Sequence, residues 1–454
     1  MRTFLVSLLA LASLLAYPGA AQAGAEDDEI TSLTRTIVSQ EIELAKLNLR
    51  VSPVPDLWYN RRWLLAAITN NSLTSSGAFL NGFTSYRHQE DPAAIPKNLV
   101  AAGSIQRGVA NFITTGECLL EFGLDARNRL ESKRKALDLG HARSEALRLK
   151  NTIDELIGRR DKLIAAKVLD DQTARRLAIE GNALRDVLDN EASYFVFVYG
   201  QSKGLKAARL LNQLMIFVSN LESGILTFIG VYATLTTRGT VTARLNLGSV
   251  AGFGDIVGGS INACAPAATR LWGRVSEQRG WRDTSAALGR PPVLDPAPLH
   301  EDFCRLSAVQ EVEGNRGGQA APIVRDLCKM EADLLTERRD VYQRAARHAH
   351  VSFLKSMISE PGGAGTKVAN GIGTVIGDLS INKPSEARLQ WIAGPATSYG
   401  IGNSVAATVN LERLVSEEMR DRRLTSQRKS RRQIIENHLR RLESFEDSIK
   451  HHLP

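Results

Sequence analysis

The sequence has few aromatic residues, few cysteines and no long uninterrupted apolar segment beyond its N-terminus. Only 6% of the 454 residues are aromatic, and the four cysteines include no Cys-x-x-Cys pair. The most apolar internal stretch, Leu210 to Leu235, is interrupted by four polar or charged residues: Asn212, Gln213, Asn220 and Glu222. Each of these is costly in lipid unless paired. These absences argue against a Cys-rich zinc site and against a string of standard transmembrane helices.

Recognisable catalytic signatures are also missing. There is no His-Glu-x-x-His, and Gly362–Lys367 has the order Gly-Thr-Lys where a phosphate-binding loop needs Gly-Lys-Ser/Thr. We therefore assign no catalytic, cofactor-binding or metal-binding residue and predict that the protein is not an enzyme. An enzyme with an unrecognised site is a third hypothesis behind the two given below.

What is present is a core-forming composition with a mild basic excess. Hydrophobic residues make up 43% and charged residues 23% of the chain, and the formal net charge is +8. This excess does not predict a nucleic-acid partner. The basic residues between Arg413 and Arg432 indicate a basic helix face, which is either solvated or directed at anionic phospholipid or lipopolysaccharide.

Residues 1–23 have the form of a cleavable secretory signal. Arg2 is followed by an apolar run from Phe4 to Ala16 and by the small-residue ending Ala21-Gln22-Ala23. The run is too short to span a bilayer. The sequence therefore predicts export, to the periplasm or outer membrane of a bacterium or otherwise as a secreted protein.

Export makes the four cysteines disulfide candidates. Cys304 and Cys328 lie at equal distances from a glycine-rich turn around Arg316, which would place them opposite each other. Cys118 and Cys264 are left as the second pair. Four buried free thiols are the alternative.

Glycine is concentrated in three blocks, 77–116, 224–259 and 362–402, which predict a threefold internal repeat. The repeat divides the mature chain into unit 1 (24–168), unit 2 (169–282), a Pro-rich linker (283–300) and unit 3 (301–454), which ends in a basic helix. The residues that define it are Arg62, Arg209 and Arg347; Gly77, Gly224 and Gly362; and Gly108, Gly254 and Gly400. A larger side chain is expected to be costly at Gly254 and tolerated at Gly204, outside every block.

The predicted fold is mainly α, with long amphipathic or coiled-coil helices and three inserted Gly/Thr-rich hairpins. Apolar residues between Leu119 and Lys167 recur in steps of three and four. Residues 225–247 alternate apolar and polar side chains toward their end, which favours β-strands at the hairpin tips. The spacing Gly254-x-x-x-Gly258 also allows close-packed helices, so both alternatives stay open.

All five tryptophans lie beside or within the glycine-rich blocks: Trp58, Trp63, Trp272, Trp281 and Trp391. Tryptophan at the edge of an apolar segment is typical of a membrane interface. Large side chains that fill helix junctions in a soluble protein would explain the same positions.

These features predict a non-enzymatic cell-envelope protein whose helical scaffold presents hairpins for membrane contact or for assembly with copies of itself. The alternative is a soluble periplasmic or secreted scaffold or binding protein without membrane contact. By architecture alone, without any shared motif, the pattern resembles outer-membrane export channels with helical barrels and helical pore-forming proteins. It departs from those channels in having three units where they carry two. The expected partners are membrane lipid or a second copy of the chain; no partner protein is identified.

Overall fold

The structure, a computed structural model, describes residues 19–53, 57–88, 96–134, 138–236, 241–313, 320–379, 385–427 and 429–451. These residues form ten helices and no strand, so the prediction of a mainly α fold is confirmed. The helices are α1 (Gly19–Val51), α2 (Leu57–Arg87), α3 (Lys97–Arg134), α4 (Leu139–Ala165), α5 (Asp171–Thr236), α6 (Val241–Leu288), α7 (Ala297–Glu313), α8 (Ala320–Leu379), α9 (Ser385–Ser426) and α10 (Arg431–His451).

The predicted β-strands at the hairpin tips are wrong for the described residues. Residues 225–236 and 241–247 are helical, and so are the described parts of the other two blocks. The turns predicted at 237–239 and 382–385 lie outside the described residues, except for Ser385, which begins α9. The β propensity of a short alternating segment is context-dependent, and the glycines here serve close helix packing.

One half of the molecule, here called the body, is a helical bundle with an apolar core. It is built from α1, α4, the first half of α5, the end of α6, α7, the first half of α8, and α10. Its core contains Ile37, Ile42, Phe195, Leu327 and Leu442, each fully or almost fully buried. These residues recur at helical spacing on α1, α5, α8 and α10, so each helix buries one apolar stripe.

Local sequence signals determine where several body helices begin and end. Asp138 caps α4, and Oδ1 of Asp170 accepts hydrogen bonds from the backbone N–H groups of Gln172 and Thr173 at the start of α5. The predicted Pro-rich linker is shorter than 283–300, because α6 continues to Leu288 and α7 begins at Ala297. Gly289, with φ of +69°, ends α6 in the left-handed conformation that glycine adopts without strain.

The other half, here called the ring, consists of six long helical segments: α2, α3, residues 202–236 of α5, 241–280 of α6, 347–379 of α8, and α9. In order, α2 packs on α3, α3 on α5, α5 on α6, α6 on α8, α8 on α9, and α9 returns to α2. Each segment therefore has two neighbours, and the six close around a common interior.

Candidate functional site

The α3 helix shows the unusual distribution of side chains in the ring. From Leu99 to Ala126 every exposed residue of α3 is apolar or glycine. The opposite face, buried inside the ring, carries Asn111, Thr114 and Glu121. A helix of a water-soluble bundle normally has the reverse arrangement. The outward residues of α3 are Leu99, Ile105, Val109, Phe112, Ile113, Gly116, Leu119, Leu120, Gly123 and Ala126.

The other ring segments follow a weaker form of this rule, because their exposed faces are uncharged but include hydroxyl residues such as Thr69, Ser260 and Ser398. No described side chain that is exposed carries a charge within 58–86 of α2, 207–236 of α5, 249–273 of α6, 363–379 of α8 or 391–411 of α9. Many of these outward side chains are large and apolar, including Phe83, Leu214, Phe253, Ile372 and Val405. An uncharged outer surface with so many large apolar side chains is unusual for a water-soluble protein.

One described helix is apolar and long enough to cross a membrane on length and composition alone, within Asp171–Tyr232 of α5. The other ring segments are less apolar on average because their inner faces are polar. The average hydropathy of these segments therefore does not reveal their apolar outer faces.

The middle of the ring contains a buried group of charged and polar side chains. Arg107 on α3 donates a short hydrogen bond to Asp255 on α6, and Asn370 on α8 donates to the same carboxylate oxygen at 2.8 Å. The Arg107 guanidinium also lies 5.0 Å from the ring centroid of Tyr399 on α9. Four helices are thus joined across the interior through charge-assisted and cation–π contacts.

A second buried cation, Lys367, lies beside this group. Lys367 is 4% exposed, and its Nζ donates to the hydroxyl oxygen of Ser223 on α5 at 2.6 Å. A buried ammonium needs polar partners, since burying an isolated charge in an apolar medium is very costly.

A cavity of about 120 Å³ adjoins these residues and is bordered by all six ring segments. By the same measure one water needs roughly 10–15 Å³, so the cavity has room for several. Its polar lining is dominated by amides, with two cations and no carboxylate. The lining includes Asn70, Asn71, Asn111, Asn220, Asn262, Asn403 and Asn410, together with Lys367 and Arg413.

An ionic cluster lies at the end of the ring nearest the body. Arg62 of α2 and Arg209 of α5 both donate short hydrogen bonds to Glu121 of α3, which is fully buried. Arg209 also lies 3.5 Å from Asp125. Two of the three repeat-defining arginines therefore meet at one carboxylate contributed by unit 1. Arg347, the third, is exposed on α8.

The repeat-defining glycines lie at helix contacts. A Cβ on Gly77 would clash with the carbonyl oxygen of Gly103, and Gly224 faces Phe112. Gly108 packs against Phe228 and Gly400 against Phe79, so both face a phenylalanine of another predicted unit. Gly254 differs, because it packs against Leu226 of its own unit. Gly362 is in α8, and its surroundings lie outside the described part.

The predicted disulfides are wrong: the structure has four free cysteines. Cys328 is buried in the body core while Cys304 is exposed on α7; Cys118 is buried inside the ring while Cys264 is exposed on the outside of α6. Equal distances from a turn do not determine which face of a helix each thiol occupies, and in both pairs the two faces differ.

The tryptophans occupy two kinds of position. Trp58, Trp272 and Trp391 are exposed near the ends of the apolar outer surface. Trp63 lines the cavity. Trp281 fills a helix junction, where its ring stacks on Phe197 and its Nε1 donates to the Phe197 carbonyl at 3.2 Å. The position of Trp281 agrees with the filling of a helix junction, and the exposed positions of Trp58, Trp272 and Trp391 are those that a membrane interface would require.

A separate group of titratable side chains is buried in the body. Glu41 is 1% exposed, and neither of its carboxylate oxygens has a hydrogen-bond partner. Burial, and then the charges of Glu331 and Glu191, hold the pKa of Glu41 well above its ordinary value. Arg338 pairs with Glu191 at 2.9 Å. In the described part of the chain no group of three or more His, Cys, Asp or Glu is placed to hold a metal ion.

Sequence reasoning did not identify Arg107, Asp255, Lys367 or the asparagines of the cavity as a site. Their signal was present in the sequence, because each lies on the helix face opposite the apolar one. That signal is visible only once these segments are recognised as helices. Comparison with family models, with curated proteins and with solved structures finds no match to the chain.

Proposed function

We propose that the ring is inserted in a lipid bilayer, with its polar interior enclosed and the body in water. The observation that carries this proposal is the inversion on the ring helices, where exposed positions are uncharged and mostly apolar while charged and amide side chains are buried. In lipid an outward apolar face needs no partner, and inward polar groups satisfy one another. In water the same surface would be a large aggregation hazard.

The dimensions of the apolar surface support insertion. Leu99 and Ala126 on α3 are separated by 27 residues, which corresponds to about 40 Å at 1.5 Å per residue. A bilayer is ~30 Å thick in its hydrocarbon core and ~40–45 Å with its headgroup regions. The exposed Trp58, Trp272 and Trp391 would then occupy the interfacial regions.

We further propose that the ring consists of three repeated helical hairpins: α2–α3, α5–α6 and α8–α9. Each hairpin contains a glycine at which a Cβ would press on the partner helix. A Cβ on Gly77 would clash with the carbonyl oxygen of Gly103, one on Gly258 would lie 3.1 Å from that of Ser219, and one on Gly373 would lie 2.5 Å from that of Trp391. The presence of such a contact in every hairpin supports one hairpin unit used three times.

In this proposal the protein acts without catalysis as a cell-envelope component, and residues 1–23 direct its export. Self-association within the membrane is a second candidate. The exposed face of α2 carries Thr69, Ser72 and Ser76, which are small hydroxyl residues of the kind that join membrane helices. A soluble scaffold remains the alternative that the following experiment tests.

A lysine placed on the outer face tests membrane insertion. Leu119 on α3 is 55% exposed within the apolar surface, whereas Leu130 on the same helix is 61% exposed beyond it. We expect Leu119→Lys to oppose insertion by roughly 3 kcal/mol. Leu130→Lys, among Arg127 and Arg129, should have almost no effect.

The measurement is flotation of purified protein with liposomes in a density gradient. The wild type and Leu130→Lys should float, and Leu119→Lys should remain largely at the bottom. A wild-type protein that stays at the bottom, monodisperse and folded, would eliminate the membrane proposal. Equal flotation of both variants would show that α3 does not face lipid.

A further inference from the structure

We infer that the ring binds the headgroup of an anionic phospholipid at the level where its apolar surface meets the body. The site consists of three exposed cations on neighbouring helices: Arg129 of α3, Lys206 of α5 and Arg274 of α6. The inference rests on the proposed membrane insertion. It adds the class of lipid that is bound and the place on the ring that binds it.

Each of the three cations lies just beyond the apolar outer surface. Lys206 is one helical turn before the exposed Leu210, and Arg274 is three residues after the exposed Leu271. Residues at these spacings share one face of a helix. Arg129 follows the end of the apolar face of α3 by three residues. Long basic side chains at this depth pack their stems on apolar surface and direct their charged ends to the headgroups.

The three cations lie at one level of the fold, because α5 packs on both α3 and α6. The charges of Arg129 and Lys206 repel each other across the contact of α3 with α5. A Cβ on Gly273 would lie 3.0 Å from the Cβ of Ala208. Arg274, the residue after Gly273, is therefore beside the turn of α5 that carries Lys206.

Positive charge exceeds negative charge at this level. Residues 127–133, 203–206 and 274–279 contain seven Lys or Arg residues and two carboxylates. One of the two, Glu131, pairs with Arg127 at 2.9 Å. In the described part of the chain, no carboxylate lies within ion-pair distance of the three cations of the site. A phosphate group placed among them would reduce their mutual repulsion.

The carboxylates that act on these cations from further away do not cancel the excess. Asp125 and Asp138 attract Lys206, but Asp125 belongs to the ionic cluster of the ring and Asp138 caps α4. Glu277 attracts Arg274. A net positive charge remains at the surface, which is the property that attracts anionic lipid to the edge of a membrane-spanning region.

The side of the ring formed by α2 and α9 neutralises its own cations. Arg61 on α2 pairs with Glu418 on α9 at 2.7 Å, and Arg422 pairs with the same carboxylate group at 3.0 Å. The basic segment that the sequence indicates between Arg413 and Arg432 is therefore partly neutralised by acidic residues of its own helix. The charge of the ring favours lipid binding at α3, α5 and α6 instead.

Trp272 provides a reporter, because it is exposed on the turn of α6 that carries Arg274. The test uses the full chain with Trp58→Phe and Trp391→Phe, which leaves Trp272 as the exposed one of the remaining three tryptophans. The protein is inserted in vesicles of equal parts phosphatidylcholine and phosphatidylglycerol, and one or the other lipid carries bromine on its acyl chains as a quencher. We expect a preference for phosphatidylglycerol of at least about fivefold, the contribution of one cation beside an anionic headgroup.

Lys206→Gln combined with Arg274→Gln should abolish this preference. Arg422→Gln combined with Arg423→Gln is the matched control, because it removes the same charge from α9 and should retain the preference. Equal quenching by the two brominated lipids in the parent protein would overturn the site even where the Lys206 and Arg274 variant fails to fold. An equal loss of preference in the control would also overturn it, since the effect would then come from overall charge.

Flotation separates the failure of this site from the failure of the proposed insertion. A protein that floats with vesicles of phosphatidylcholine alone, yet shows no preference for phosphatidylglycerol, is inserted but lacks the lipid site. A protein that floats with neither kind of vesicle eliminates both. Loss of the preference when inorganic phosphate is added at constant ionic strength would overturn the lipid assignment in favour of a soluble phosphate.

Discussion

At the scale of single residues, the ring and the body bury their polar side chains in different ways. In the ring, Arg107 and Asp255 neutralise each other across the interior, and amides surround them. In the body, Glu41 is buried with the carboxylates of Glu191 and Glu331 nearby, and Arg338 pairs with Glu191. A buried carboxylate without a partner stays protonated, because the charged form has lost its hydration.

The raised pKa of Glu41 predicts a defined pH dependence of stability. The ordinary pKa of a glutamate carboxyl is 4.5. When the pH is above this value, Glu41 loses its proton in the unfolded chain but keeps it in the folded protein. The stabilising effect of this group is therefore complete below pH 4.5 and is lost as the pH rises toward the folded-state pKa. The body should become less stable as the pH rises above 4.5.

Glu41→Gln should reduce this slope by up to one proton, about 1.4 kcal/mol per pH unit, and raise the melting temperature at pH 8. Glu43→Gln is the control on the same helix, where the carboxylate pairs with Lys46 at 2.9 Å. The measurement is the melting temperature of the wild type and both variants across pH 5–8. Parallel curves for the wild type and Glu41→Gln would show that Glu41 is ionised in the folded state.

Glycine packing gives a second residue-scale prediction. A Cβ on Gly371 would clash with the carbonyl oxygen of Gly252 and lie 2.8 Å from Ile256, whereas Gly365 on the same helix has open space. We expect Gly371→Ala to destabilise the ring by about 1–3 kcal/mol through overpacking. Gly365→Ala should be neutral or stabilising by up to ~1 kcal/mol, since Ala has the higher helix propensity.

Thermal unfolding of both variants in detergent measures this difference. The same melting temperature for both would show that the α6–α8 contact is looser than described. Gly204 is not a suitable control, contrary to the sequence-based expectation, because a Cβ there would lie 2.8 Å from the carbonyl oxygen of Gly273.

At the scale of elements, the sequence predicts the helices of the body well and the nature of the ring helices poorly. The apolar steps of three and four between Leu119 and Lys167 correctly identify α4 as a helix. Periodicity succeeds there because an apolar stripe faces one core. The prediction fails for the glycine-rich blocks because their helices do not bury an apolar stripe. Their outward face is apolar, which suits lipid in our proposal, and their inward face is polar.

Packing between helices that are distant in the sequence explains the remaining differences from the sequence-based predictions. Val241 to Leu247 alternate like a strand, yet they form the start of a helix. Which face of α7 or α6 a cysteine occupies depends on packing that no local spacing contains, so neither disulfide follows from the sequence. The acid–base pairing of Arg209 with Glu121, 88 residues apart, likewise requires the assembled ring.

At the scale of the whole molecule, one chain builds two halves with opposite distributions of apolar side chains. The body buries apolar side chains such as Ile42 and Phe195, and the ring exposes apolar side chains such as Leu119 and Phe253. Helices α5, α6 and α8 run through both halves. The reversal occurs within each of these helices, and in our proposal it marks the boundary between water and lipid.

Two native cysteines on opposite sides of that boundary test the central claim most directly. Cys264 is exposed on the ring and Cys304 is exposed on the body. The protein is placed in lipid nanodiscs, where both bilayer faces are accessible, and treated with a negatively charged maleimide before peptide mass mapping. Cys304 should be labelled and Cys264 protected, while denaturation in SDS should make both reactive. Labelling of Cys264 at the rate of Cys304 in the nanodisc would contradict the account.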